Sequence, residues 1–222
     1  MKKALIIFTR VPEPGKTKTR LSARLSNEEC AGMQEAMLRD LEELSGQEEW
    51  DTFVYYTPAK GKEKIRKLLP GAYAYRAQDE VEFGARMSGC IGRVLEEGYD
   101  ACVLIGTDIP VIDRMLIRHA FRILEREQAV IAPTRDGGYY LIGMKELHRE
   151  IFEDQVYGKG SVYLDTVEKM KRCGCTYGEL PVLIDIDEPA DIEAYRNEYS
   201  DRKQSMIHTW DYVRKMHGKY GV

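Results

Sequence analysis

Ala4-Leu5-Ile6-Ile7-Phe8 runs directly into Thr9-Arg10-Val11-Pro12-Glu13-Pro14-Gly15-Lys16-Thr17-Lys18-Thr19-Arg20-Leu21. The first five residues form a continuous apolar run of strand length, the pattern of a buried strand. Two prolines and a glycine then exclude helix, so the stretch that follows is a loop leaving that strand's carboxyl end. In it, Lys16, Lys18 and Arg20 alternate with Thr17 and Thr19. Cations, hydroxyls and free backbone N–H groups at that place suit a phosphate chain. The same residues also suit a solvated basic turn, and they match no strict phosphate-loop spacing.

Beyond the loop, strand and helix signals alternate. Ser26-Asn27-Glu28-Glu29 reads as a capping box, and the helix after it carries Met33, Met37, Leu41 and Leu44 on one stripe. Thr52–Thr57 is strand-like. Lys62–Leu69 is a short basic helix, and Tyr73–Arg76 a brief strand. Phe83–Glu97 is a helix with Met87, Ile91 and Leu95 spaced for burial. Ala101–Ile105 has the unbroken apolar character of a central parallel strand, and Asp108 follows it in a turn that Pro110 keeps out of the helical region. Arg114–Glu127 is helical. Ala129–Pro133 and Tyr139–Gly143 flank the turn Thr134–Gly138, a hairpin signal that places one antiparallel strand in an otherwise parallel sheet. An amphipathic helix over Ser161–Cys173 and a helix from Pro189 to about Tyr199 complete the pattern. The result is a doubly wound α/β domain over residues 1–200. Residues 201–222 form a helical tail with Met206, Trp210, Val213 and His217 at helical spacing, suited to packing on the domain or to a homodimer contact.

The bulk numbers bound the function. With 222 residues and a net charge of −4, the basic loop is a local feature and not part of a nucleic-acid surface. No apolar run is long enough to span a bilayer, and the first residues lack the features of a secretory signal. The five cysteines are odd in number and scattered, which fits reduced thiols in the cytoplasm. Cys173-Gly-Cys175 resembles half of a soft-metal site, but no second Cys/His pair lies near it, and the four histidines show no ligand spacing.

In open α/β sheets ligands bind beyond the carboxyl ends of the strands. The basic loop, Asp108, Asp136 and the pair Asp185/Asp187 all follow strand-like runs. Asp108 suits Mg²⁺ or Mn²⁺ beside phosphate oxygens, or a turn bonding its own backbone. Asp185 and Asp187, two apart, face one side of an extended segment and suit the same metal shell, while Asp187 also suits a helix cap. Gly137 and Gly138 allow close backbone approach, and Tyr139 and Tyr140 offer hydroxyls and rings for an acceptor. Arg86, in the first turn of its helix, is badly placed against the dipole unless an anion lies between. Gln78 and Gly84 lie near it and suit contact with a base.

These blocks, taken together and in order, carry a family resemblance. Pro12–Leu21 resembles the P-x-PG-x-x-KTRL opening of the DUF2064 family, the glycosyltransferase-like or selenodomain-associated transferases. Gln78 with Gly84-Ala85-Arg86-Met87, Gly106-Thr107-Asp108-Ile109-Pro110, Asp136–Gly143 and Asp185–Asp191 resemble that family's later motifs. Departures are Tyr157 before Gly158, where the family has tryptophan, and Ile109, where cysteine is common. The resemblance implies a single GT-A-like three-layer sandwich of the nucleotide-diphospho-sugar transferase superfamily. It implies Asp108 as metal ligand with Asp185 or Asp187 as partner, and Mg²⁺ or Mn²⁺ as cofactor. Within that frame Asp108, Lys18 and Arg20 are the catalytic candidates. Thr9, Gly15, Lys16, Lys18, Arg20, Gln78, Gly84 and Arg86 are the nucleotide-binding candidates. Asp136, Gly137, Gly138 and Tyr139 are the acceptor-binding candidates. The expected reaction is metal-dependent glycosyl transfer from a nucleotide-sugar to a small acceptor. The alternative is nucleotidyl transfer from a nucleoside triphosphate with release of pyrophosphate, since the loop also resembles the Lys-x-Arg-Leu segment of phospholactate guanylyltransferases. A non-catalytic nucleotide-binding module is the third reading.

Overall fold

The structure is a computed structural model that describes residues 1–201 and 206–220. Alternation within the first strand sets the architecture. In β1 (Lys3–Arg10), Leu5 and Ile7 point into one apolar cluster, while Ala4, Ile6 and Phe8 point into another on the opposite face. A strand buried on both faces needs a helical layer on each side, and both are present. α1 (Asn27–Asp40), α2 (Lys62–Leu68), α4 (Arg114–Leu124), α6 (Pro189–Glu198) and α7 (Ile207–Tyr220) contribute to the first cluster. α3 (Phe83–Glu96) and α5 (Val162–Arg172) contribute to the second.

The remaining strands are β2 (Asp51–Thr57), β3 (Ala74–Ala77), β4 (Ala101–Ile105), β5 (Ala129–Pro133), β6 (Tyr139–Met144) and β7 (Tyr177–Glu179). They lie in the order β3-β2-β1-β4-β6-β5-β7. All neighbouring pairs are parallel except those of β6, which runs antiparallel to both β4 and β5. The expected α/β fold with one reversed strand is therefore present. The polar strand β7 has no counterpart in the sequence reading. The apolar run that follows it, Leu180–Ile184, is not a regular strand but stays along β5, through a bridge from Leu183 to Thr134 and backbone hydrogen bonds from Leu180 N to Ile131 O at 3.0 Å and from Leu183 N to Pro133 O at 3.2 Å.

Helix ends follow their local chemistry. Ser26 caps α1 in a reciprocal box, its hydroxyl accepting from the Glu29 amide while the Glu29 carboxylate accepts from the Ser26 amide. The tail is part of the same core. Met206, Val213 and Met216 are buried against the first cluster, and α7 lies along α1. Two stretches of the expected tail, residues 202–205 and 221–222, lie outside the described residues. Among the described residues no helix is long and apolar enough to cross a membrane.

Asp40, at the end of α1, fastens the tail. Its carboxylate accepts from the first amides of α7, His208 N at 2.9 Å and Thr209 N at 2.7 Å. Asp40→Ala therefore removes a helix cap, and we expect a loss of about 1–2 kcal/mol. Urea unfolding checks this: the midpoint falls with the slope unchanged.

Candidate functional site

The central strands β1 and β4 are neighbours, so the residues leaving their carboxyl ends converge. Thr9, near the end of β1, and Thr107, just past β4, place their hydroxyls 3.0 Å apart. Gln34 of α1 donates to the Thr107 hydroxyl at 2.8 Å. These buried groups form the floor of a cavity of about 350 Å³. The basic loop forms one wall. Thr17 pins it by donating to the Val11 carbonyl and accepting from the Glu13 amide, both at 3.0 Å. Gly15 turns the chain with φ 74°, and Lys18 holds φ 52°, a left-handed conformation that costs a non-glycine residue about 1 kcal/mol or more.

That backbone turn directs Lys18 inward. Its side chain is 3% exposed, and its ammonium contacts the Asp108 carboxylate, Asp187 Oδ1 at 3.0 Å and the Ile186 carbonyl at 2.6 Å. Burial alone would lower the Lys18 pKa; the carboxylates of Asp108 and Asp187 outweigh it and hold the pKa above the usual value. Burial likewise opposes ionisation of Asp187, but Lys18 and then Arg20 keep its pKa below the usual carboxylate range. Arg20 reaches Asp187 Oδ2 at 3.1 Å. The segment carrying Asp187 is itself tied to the β4 end, where Ile186 N donates to the Asp108 carbonyl at 3.0 Å. Asp187 does not cap α6: Glu188 is the N-cap residue, and Asp191 accepts from the Asp187 and Glu188 amides.

Across the cavity stands Arg86, its guanidinium 5.3 Å from the Phe83 ring centroid and its NH1 donating to Gln78 Oε1 at 3.2 Å. Arg86 Nε is buried with no hydrogen-bond partner among the described residues. Gln78 spends its amide donors on the Thr9 and Tyr55 carbonyls, at 2.9 and 3.1 Å. It therefore joins β1 to β2 and orients Arg86, and it has no donor left to read a base. Lys16 is exposed at the rim and pairs with Glu13 at 3.0 Å. Gly84 lines a separate groove, where an added Cβ would lie 2.3 Å from the Phe152 carbonyl oxygen. Gly15 turns the loop without lining the cavity.

A second cavity, about 270 Å³, adjoins the first and shares Arg20 and Asp187 with it. Asp136, Asp185, Glu188 and Asp191 also line it. Asp185 is pushed up to about 7, first by burial and then by Asp136, Asp187 and Asp108. Of the residues expected to hold an acceptor, only Asp136 reaches this cavity. Its carboxylate also accepts from the Thr134 hydroxyl and the Gly138 amide, bracing its own hairpin. Gly137, at φ 89°, lets the hairpin close on Gly160, whose oxygen would lie 2.0 Å from an added Cβ. Tyr139 points into the α3/α5 layer, where burial raises its phenol well above the usual value. Alternation along β6 dictates that direction. Gln34 was not foreseen, its one sequence signal being a glutamine among the apolar positions of α1; Thr107 lies in the Gly106–Pro110 motif but was not singled out.

Residues 40–159, just over half of the chain, match the family described as "Uncharacterized protein conserved in bacteria (DUF2064)". Among solved structures, a "putative nucleotide-diphospho-sugar transferase" from Desulfovibrio desulfuricans G20 is 31% identical with a TM-score of 0.86, and the match covers 97% of this chain and 99% of that one. A 4-diphosphocytidyl-2C-methyl-D-erythritol synthase from Anaerococcus prevotii DSM 20548 is 14% identical with a TM-score of 0.57, covering 90% of this chain and 97% of that one. A protein from Mycobacterium tuberculosis H37Rv, solved as a manganese complex, is 15% identical with a TM-score of 0.53, covering 89% and 100%. The last two show a shared fold alone. No curated protein matches the sequence.

Asp185 gives the site a pH signature. A carboxyl whose pKa rises on folding binds its proton more tightly in the folded state, so its favourable contribution is complete below about pH 4, the unfolded value, and is lost as pH rises through about 7. Asp185→Asn removes this dependence. We expect the variant to be more stable than the parent by about 1–3 kcal/mol at pH 8, discounted for partial solvent access, with the difference vanishing near pH 4. Denaturant unfolding at the two pH values measures it.

Proposed function

The chain belongs to the DUF2064 family, and we propose that it is a transferase that moves a glycosyl group from a nucleotide-sugar to a small acceptor, assisted by Mg²⁺ or Mn²⁺. The observation that carries this reading is the pairing of a cationic cavity with an acidic one across a shared wall, Arg20 and Asp187. The first suits a nucleotide's phosphate chain: Lys18, Arg20, Arg86 and the rim residue Lys16 surround it. The second presents carboxylates, which accept hydrogen bonds from sugar hydroxyls and repel an anionic acceptor. Its two arginines are already engaged, Arg20 with Asp187 and Arg135 with Glu198.

The carboxylates also fit a divalent cation. Asp108 and Asp187 already converge on one cationic centre, the Lys18 ammonium, and Asp108 is half exposed toward the cavity. Asp108 and Asp187 would hold the metal, with Asp185 beside them. The bound ion would neutralise charge on the departing diphosphate. The remaining work falls to the chain. Lys18 and Arg20 balance the phosphate oxygens, Arg86 offers its unpartnered N–H, and Thr9 and Thr107 give the floor polar contacts. Asp136 and Asp185 orient acceptor hydroxyls at the second cavity.

Nucleotidyl transfer from a nucleoside triphosphate is the second reading. It is favoured by the number of cations on one short loop, although Glu13, Asp108 and Asp187 already offset Lys16, Lys18 and Arg20.

Thermal-shift measurements with nucleotide-sugars and nucleoside triphosphates, each with and without Mn²⁺, separate the readings. We expect a nucleotide-sugar to raise the melting temperature in a metal-dependent way, and Asp108→Ala to abolish that shift while keeping the native circular-dichroism spectrum. We also expect Asp108→Ala to lower turnover by about 100-fold or more, the scale of a lost electrostatic stabiliser. Stabilisation by triphosphates alone would exclude the glycosyl reading.

A further inference from the structure

The opposite edge of the sheet carries a cluster that neither cavity uses. β6 ends at Met144, which pairs with Cys102 and Ala129 at the starts of β4 and β5. The chain leaving that end places His148 before a short turn, Arg149–Ile151, that carries Glu150. Facing it is the end of α5, where Cys173 forms the C-cap. A histidine nitrogen, a Glu150 carboxylate oxygen and the Cys173 sulfur lie within 4.8 Å of one another. Residues 148 and 173 are remote in sequence, which is why no ligand spacing was visible.

The histidine is poorly satisfied as it stands. Its side chain is 18% exposed, and Nε2 is buried with no hydrogen-bond partner among the described residues. Nδ1 lies 3.4 Å from Glu150 Oε1, too long for a good hydrogen bond. That distance is about the ligand–ligand edge of a tetrahedral ion with bonds of about 2.0–2.2 Å. Nδ1 thus faces Glu150, while Nε2 is the buried nitrogen without a partner among the described residues, which is costly unless something else satisfies it.

We propose that His148, Glu150 and Cys173 form a zinc site, with the fourth position open to water. Nitrogen, sulfur and oxygen together select Zn²⁺ over Mg²⁺ or Ca²⁺, which prefer oxygen alone. The site shares no residue with the transfer cavities. Zinc there ties the turn after β6 to the end of α5, so its effect is on stability of the α3/α5 layer and does not depend on the transfer reaction. Cys175, buried nearby, is not among the three groups that converge.

The test is calorimetric titration of the chelator-treated chain with Zn²⁺ under a non-thiol reductant, with Co²⁺ substitution as a spectroscopic readout. We expect one equivalent bound and a higher melting temperature. A thiolate-to-cobalt band should be present in the parent and absent in Cys173→Ser. Cys173→Ser and His148→Ala, each confirmed as folded by circular dichroism, should weaken binding at least about tenfold, and Asp108→Ala should leave it unchanged. Absence of binding, affinity unchanged from the parent in Cys173→Ser and His148→Ala, or loss of binding in Asp108→Ala would each overturn the proposal.

Discussion

The buried ammonium of Lys18, held between Asp108 and Asp187, is the interaction on which the site depends. It joins three segments distant in sequence: the loop after β1, the turn after β4 and the extended segment before α6. Such a cluster is a poor device for stability alone. Desolvating the charges costs several kcal/mol, and the left-handed backbone at Lys18 adds to that cost. An arrangement of this kind is expected where charge must be positioned before a charged ligand arrives, because preorganised groups need not reorganise during the reaction. The parallel strands make the arrangement possible: central β1 and β4 deliver two of the segments to one edge of the sheet, and the third follows the edge strand β7, parallel to β5.

Two neighbouring cavities of opposite character follow from this centre. Lys18 and Arg20 draw Asp187 toward the basic side, while Asp185, two residues earlier, stays among carboxylates and resists ionisation. One short segment thus contains an acid held ionised and an acid held partly protonated near neutrality. Environment alone separates them, and such separation is the usual physical basis for distinct roles in one site.

Much of this was legible in the sequence. The unbroken apolar runs at Ala4–Phe8 and Ala101–Ile105 identified central strands, the hairpin around Asp136 identified the reversed one, and Asp185 and Asp187, read from period-two spacing as facing one side, both line the second cavity. What was hidden depended on packing. Gln78 reads as a ligand contact, yet its amide is consumed by two backbone carbonyls. Tyr139 reads as an acceptor residue, yet the pleat turns it into the α3/α5 layer. The apolar run Leu180–Ile184 has strand composition but, interrupted by Pro181, continues along β5 only irregularly, while the polar Tyr177–Glu179 forms the regular edge strand, because an edge strand needs backbone partners more than apolar side chains. His148 and Cys173 meet only through the fold.

The most direct test of the central claim is ³¹P NMR of the products formed when the protein is incubated with nucleotide-sugars, Mn²⁺-free Mg²⁺ and a panel of small hydroxylated acceptors. The account predicts a nucleoside diphosphate released in step with glycosylated acceptor, with that signal lost in Lys18→Ala. Pyrophosphate formed from a nucleoside triphosphate, with nucleotide-sugars left intact, would contradict it.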